Sequence, residues 1–295
     1  MGRERGASQE RAREANHGRA EPQSAGIFPP MNPQKIFLTG ASSGIGQALA
    51  RAYAEQGAVL GLVGRREDAL RAFAASLPNP DAIRVYAADV RDADAMNAAA
   101  ADFIAHVGCP DVVIANAGIS VGTAASERED LEVFRAVMDT NWFGTLTTFQ
   151  PFLEPMRAQP AGADGWRGTL VGIASVAGIR GLPGGGAYSA SKSAVIKLLE
   201  SLRLEQSHER IRVVTIAPGY IRTPMTAHNP YPMPFLMDAD VFARKAVRRI
   251  AGGTRFAVIP WQMGVVASVL NVMPRWLYDA LFRRAPRKPR QSRSA

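Results

Sequence analysis

The 295-residue sequence predicts an α/β protein, a doubly wound three-layer fold on a mostly parallel central sheet of about seven strands. Two observations carry this expectation. From residue 35 onward, short β-branched runs alternate with longer Ala-rich segments suited to helices. Such alternation implies parallel strands joined by right-handed crossovers. A glycine-rich turn also follows the first run, where open sheets of this kind collect ligands at the carboxyl ends of their strands.

Strands are expected over 35–39, 58–64, 82–87, 111–115, 169–174, 211–216 and 256–259, with helical segments between nearly all of them. No internal repeat or linker interrupts residues 34–260, which are expected to form one domain. Residues 1–33 are polar, mixed in charge and without apolar periodicity, so they cannot bury enough surface to offset chain ordering and are expected to be disordered. Met31 stands just ahead of the first strand and is a candidate start. Residues 261–295 form an extension, apolar and helical around Pro274 and then basic.

The composition excludes several classes. A single cysteine, Cys109, rules out an internal disulfide framework and fits a reducing compartment and a structural thiol. No paired Cys/His spacing suggests a metal site. The net charge of +9 raises the question of nucleic acid, yet Arg283, Arg284, Arg287, Lys288, Arg290 and Arg293 close the chain with no acidic residue among them. Without these six the body is near +3, and the aromatic-and-basic patterns of nucleic-acid modules are absent. A solvated basic tail on a cytoplasmic enzyme is the expectation, with no nucleic-acid partner.

After the first strand comes Thr39-Gly40-Ala41-Ser42-Ser43-Gly44-Ile45-Gly46, opening a helix. Glycines there let backbone amides approach a pyrophosphate, to which the helix N-terminus adds partial positive charge. The spacing departs from G-x-G-x-x-G, and plain turn glycines are the alternative. The second strand ends at Gly64, where an acidic side chain would hold the ribose 2′-hydroxyl of NADH. Arg65 and Arg66 follow instead. A guanidinium grips a 2′-phosphate, so the pair favours NADP(H) over NAD(H), with ordinary surface arginines as the alternative.

Tyr188-Ser-Ala-Ser-Lys192 sets a phenol and an ammonium four residues apart, on one face of a helix, where they can share a ligand. With five lysines and six tyrosines in the chain, such a pair arises by chance only about 0.1 times. Ser175 ends the preceding strand and leads into a glycine-rich loop.

At these residues the sequence resembles the short-chain dehydrogenase/reductase family, over residues 35–260. Thr39-Gly-x-x-x-Gly-x-Gly46 is similar to its cofactor turn, Asp89-Val90 to its adenine contact and Asn116-Ala117-Gly118 to its strand-four motif. Asn141, Ser175, Tyr188 and Lys192 match its catalytic tetrad, and Pro218-Gly219 with Ile221 and Thr223 its nicotinamide-side segment. Ala115 departs from the Asn common there and removes one stabilising side-chain contact.

The resemblance implies a Rossmann-type fold and hydride exchange between NADP(H) and a carbonyl or alcohol. Tyr188 would be the general acid in reduction and general base in oxidation, Ser175 would hold the substrate oxygen, and Lys192 would bind the nicotinamide ribose and lower the tyrosine pKa. Asn141 would help to retain a water in the proton relay. A dinucleotide-binding sensor without turnover, or a membrane-surface scaffold, is the alternative, against which the intact Ser175, Tyr188 and Lys192 set argues.

Residues 224–237 are rich in proline and large apolar groups, similar to the family's variable substrate loop. Met225, Met233, Phe235, Leu236 and Met237 suggest an adaptable apolar entrance, although packing on the core explains them as well. His228 reads as an exposed loop histidine rather than a ligand contact, and the run 184–186 of three glycines as a plain turn, with eased substrate approach as the alternative. In the extension, Trp276, Leu277, Leu281 and Phe282 beside arginines suit an amphipathic segment on the anionic inner face of a membrane. A contact within a homo-oligomer, or cover for the core, suits them too.

Overall fold

Along β1 (Lys35–Thr39) neighbouring side chains point to opposite sides and both sides are buried. Ile36 and Leu38 enter one core with Leu60, Leu62 and Phe242, whereas Phe37 enters a second with Phe103, Phe149 and Phe152. A strand covered on both faces needs apolar residues at every position, which is why these segments read as continuous runs rather than alternations. The computed structural model describes residues 33–227 and 229–290. The expected disordered tail lies outside them, Pro33 apart, as do His228 and Arg293.

The other strands are β2 (Val59–Gly64), β3 (Ile83–Ala87), β4 (Val112–Ala115), β5 (Gly168–Ile173), β6 (Ile211–Pro218) and β9 (Phe256–Ile259). They join β1 in a seven-stranded sheet of order β3-β2-β1-β4-β5-β6-β9, parallel throughout. All seven predicted strands are present. The crossovers are α1 (Gly44–Ala54), α2 (Glu67–Ala75), α3 (Ala93–Val107), α4 (Leu131–Met138), α5 (Gly144–Ala158), α6 (Gly186–Glu205) and α7 (Ala239–Ala251). The fold is therefore a doubly wound Rossmann-type sheet between helical layers. Its strand order reverses between β1 and β4, and a crevice opens there.

Phe37 anchors the second core, its ring centroid 5.5 Å from Phe103 edge-on and 4.7 Å from Phe152. Truncating a ring of this kind to alanine costs about 3–5 kcal/mol. Cys109 packs against this core, and burial pushes its thiol up to about 11, so it stays protonated.

Two further strands, β7 (Ile221–Arg222) and β8 (Met237–Asp238), pair in parallel and close the substrate loop at its base, where Arg222 Nε donates to Asp238 at 2.8 Å. Of the expected entrance residues, Met237 packs on the core, whereas Met225 and Phe235 remain exposed.

After β9 come α8 (Trp261–Val272) and α9 (Arg275–Phe282). Met263 and Ala267 turn one face of α8 inward. Trp261, Val265, Val269 and Val272 line the other face and stay exposed, joined by Trp276 on α9. Among the described residues no helix is long and apolar enough to cross a membrane. Tyr278 Oη donates to the Gly181 carbonyl at 2.6 Å, and Arg180 donates to the carbonyls of Leu270 and Met273.

The expected solvated tail is corrected for its last described residues. Arg283, Arg284 and Arg287 are exposed, but residues 288–290 fold back onto the loops before α4 and α6. The reason is electrostatic. Arg290 meets Asp130 with Glu127 and Glu129 beside it, an acidic group that offsets the charge of the tail.

Candidate active site

The glycine turn is held open by the end of β4. Thr39 Oγ1 accepts from the backbone N–H groups of Asn116 and Ala117 at 3.2 and 3.3 Å, and Asn116 Nδ2 donates to the carbonyls of Thr39 and Gly40 at 3.0 and 3.2 Å. Gly40 has φ +67°, and a Cβ on Gly46 would stand 2.1 Å from the Gly40 oxygen, so neither position accepts a side chain. Ser43 precedes α1 with no side-chain cap, and the first turn of the helix has no acidic residue. The free N–H groups thus face the crevice ready for an anion.

A cleft of about 220 Å³ runs from this turn along the carboxyl ends of the strands. Gly40, Ser42, Ser43, Gly44, Ile45 and Gly46 line one end with Arg65. Asp89, Val90, Asn116, Ala117 and Gly118 form the middle, and Ser175, Tyr188, Lys192, Pro218, Gly219, Ile221 and Thr223 the other end. Sequence reasoning thus named most of the wall. Arg66 and Asn141 do not line it. Arg66 Nη2 donates to the Ser42 carbonyl at 3.2 Å and braces the turn from outside. The guanidinium of Arg91 is bonded to Asp89 at 2.7 Å and, ahead of all other influences, holds that carboxyl below its ordinary range.

Asn141 is fully buried in a single π-helical turn, Asp139–Phe143. Its Nδ2 donates to the Ile119 carbonyl at 3.0 Å and to Ser191 Oγ at 2.9 Å, and its Oδ1 accepts from the Ile119 N–H at 2.8 Å. With both donors committed, its side chain braces the wall and the Tyr188 helix and has no proton to offer a water. Ser191 was missed, although its place between Tyr188 and Lys192 was the available signal.

At the far end, helical spacing puts Tyr188 and Lys192 on one face in the first turns of α6. Lys192 Nζ sits 6.0 Å from the Tyr188 ring centroid and donates to the Ile173 carbonyl at 2.7 Å. Desolvation pushes its ammonium down to about 8. Burial raises the Tyr188 phenol, and the Ser175 hydroxyl beside it offsets this only in part. Ser175 Oγ accepts from the Ala177 N–H at 3.1 Å, which leaves its own proton to donate to the Tyr188 hydroxyl or to another oxygen in the cleft.

Ile119, Thr140, Ile173, Pro224 and Thr226 also line the cleft and were not foreseen; Met225, which joins them, was expected only at the entrance. Thr226 Oγ1 orders the substrate-side loop by donating to the Ile221 carbonyl at 2.6 Å and accepting from the Thr223 N–H at 3.1 Å.

A family model described as short chain dehydrogenase matches residues 34–232. An uncharacterized oxidoreductase of Myxococcus xanthus is 36% identical over 255 residues, covering 86% of this chain and 98% of that protein. A short chain dehydrogenase from Burkholderia cenocepacia, solved in complex with NADP, superposes with a TM-score of 0.72 at 24% identity over 86% of this chain and 99% of that one. An alcohol dehydrogenase from Thermococcus sibiricus, complexed with 5-hydroxy-NADP, does so with a TM-score of 0.67 at 26% identity, over 77% of this chain and 96% of that one. The chain belongs to the short-chain dehydrogenase family and is an oxidoreductase.

Proposed function

We propose that this protein reduces an apolar carbonyl compound, or oxidises the matching alcohol, with NADP(H) as its cofactor. The observation that carries the reading is the convergence of Ser175, Tyr188 and Lys192 on one wall of the cleft that begins at the glycine turn and Arg65. The residues fit a dinucleotide. The uncapped start of α1 and the turn without side chains suit a pyrophosphate, and Arg65 suits a 2′-phosphate. The bound nicotinamide supplies or accepts the hydride.

The chain's own residues handle the proton and the substrate oxygen. Ser175 turns its hydroxyl proton from Tyr188 to that oxygen. Tyr188 gives it a proton in reduction and takes one in oxidation. An ordinary phenol titrates near 10, and ionising one at neutrality needs about 4 kcal/mol of selective stabilisation. An isolated exposed ion pair supplies about 1 kcal/mol or less. Burial raises Tyr188 further, so the resting phenol keeps its proton. Lys192 has two N–H donors left for the ribose hydroxyls and for charge that develops on the phenol. Asn141 and Ser191 brace this face to Ile119.

Met225 at the cleft and Phe235 on the adjoining loop make the substrate side apolar and adaptable. The test is consumption of NADPH with a panel of aldehydes and ketones extended to long-chain and steroid carbonyls, followed by product identification. Turnover with an apolar carbonyl that Tyr188→Phe abolishes supports the reading. No turnover with any member points to a sensor that holds the dinucleotide without chemistry.

The exposed stripe of Trp261, Val265, Val269, Val272 and Trp276 supports a second element of the reading, rest on an anionic membrane surface. Arg275, Arg283 and Arg284 flank the stripe and are exposed, as contact with acidic headgroups requires.

A further inference from the structure

The last described residues reach two loops distant in sequence. Lys288 Nζ donates to Ser120 Oγ at 2.7 Å and to the Ser120 carbonyl at 3.0 Å. Arg290 pairs with Gly122 in a parallel bridge and grips Asp130 with two bonds of 3.0 Å. Asp130 is nearly buried and accepts the Ala124 N–H at 2.7 Å through the same carboxylate. The approach of the backbones is close. A Cβ on Gly122 would stand 2.0 Å from the Pro289 oxygen, and one on Gly184 would stand 2.7 Å from the Lys288 nitrogen. The two loops are also bonded to each other, Thr123 N–H to the Gly184 carbonyl at 2.9 Å.

Both loops run straight into the cleft. Ile119, in the wall, immediately precedes Ser120, and Gly184 lies four residues before Tyr188. Residues 288–290 therefore tie together, from outside, the two segments that flank the substrate end.

We infer that Arg290 is a positioning residue for the reaction: its fork on Asp130 holds residues 288–290 across the loops at Ser120 and Gly184 and so fixes the gap into which a carbonyl substrate fits. This rests on the reading of the site as a carbonyl reductase. Among the described residues the bonds of the strap run to Ser120, Gly122 and Asp130 and none to the glycine turn, so the two ends are expected to respond separately. A charge-assisted fork on a nearly buried carboxylate is strong enough to matter, and its loss leaves that carboxylate without its cation.

The test uses the full chain with Arg290→Ala, Asp130→Asn and the double variant. Amide hydrogen exchange is measured at Thr123, Ala124 and residues 184–187, together with steady-state kinetics and the Kd for NADPH. The expected result is faster exchange at these amides and a carbonyl KM raised about 10-fold, with kcat and NADPH affinity kept. The double variant should be no worse than either single one, because one interaction is lost in all three. Arg290→Lys, which keeps the charge and loses the fork, should recover part of the KM. Unchanged exchange overturns the latch, and faster exchange with an unchanged KM overturns its role in substrate binding. A wild-type chain that consumes no NADPH with any carbonyl overturns the reading of the reaction instead, and the exchange data, which need no turnover, tell the two failures apart.

Discussion

Lys192 Nζ rests 2.7 Å from the carbonyl oxygen of Ile173, so the last residue of β5 holds the ammonium two positions before Ser175. One strand end therefore sets two of the three polar groups at this end of the cleft. Burial leaves that ammonium at about 8, and it exists below that value and is lost as pH rises through it. NADPH affinity should accordingly weaken above a pH of about 8. A titration of the NADPH Kd from pH 6 to 9.5 checks this, with Lys192→Met as the control in which the break disappears; a break that persists there assigns it to another group.

Tyr188→Phe removes one hydroxyl and leaves the ring in place. Turnover should fall about 100-fold or more while NADPH affinity changes little. Stopped-flow reduction at saturating NADPH separates the two quantities, and wild-type turnover in this variant would dismantle the proposed proton transfer.

The two arginines after β2 should behave differently. Arg65 lines the cleft, whereas Arg66 is bonded to the Ser42 carbonyl behind the turn. Arg65→Asp should shift the NADPH to NADH preference by about 10- to 100-fold, the strength of a lost charge-assisted contact, and Arg66→Asp by less. Ratios of kcat/KM for the two cofactors measure it. Equal shifts would mean that Arg66 turns inward to share the phosphate.

A methyl group on Gly46 would overlap the Gly40 oxygen at 2.1 Å. Gly46→Ala should destabilise the protein by about 1–3 kcal/mol and weaken NADPH binding, because the turn must open to make room. Urea unfolding with and without NADPH reads both effects, and an unchanged midpoint in both would show that the turn is looser than described.

Trp261 and Trp276 are the largest exposed members of the apolar stripe. Trp261→Ser with Trp276→Ser should reduce co-sedimentation with phosphatidylserine vesicles by about 10-fold or more and leave turnover on a water-soluble carbonyl intact. Equal sedimentation of the wild type with neutral and anionic vesicles would remove the role of the flanking arginines. Surface substitution is preferable to truncation at Pro260, which would strip the buried Met263 and Ala267 as well.

What could be read from the sequence was local or periodic. β2, β4 and β9 are continuous apolar runs and the other strands largely so, and the i, i+4 spacing of Tyr188 and Lys192 fixes their common face whatever surrounds them. The partners of Lys288 and Arg290 lie 168 and 160 residues away, and a run of basic residues gives no sign of which acidic side chains will meet it. The same limit hid Ser191 as the partner of Asn141, 50 residues earlier. β7 and β8, two residues each, are too short to show any alternation. The glycines of 184–186, read as a turn with eased substrate approach as the alternative, make room at Gly184 for the chain's own backbone.

Met263 of α8 packs against Gly219, its Cγ within 2.7 Å of where a Cβ would stand, and Gly219 is part of the cleft wall. The helix that bears Trp261 and Val265 on its outer side thus has its inner side on the wall of the cleft. Pressure on that outer side is carried through Met263 to the wall at Gly219.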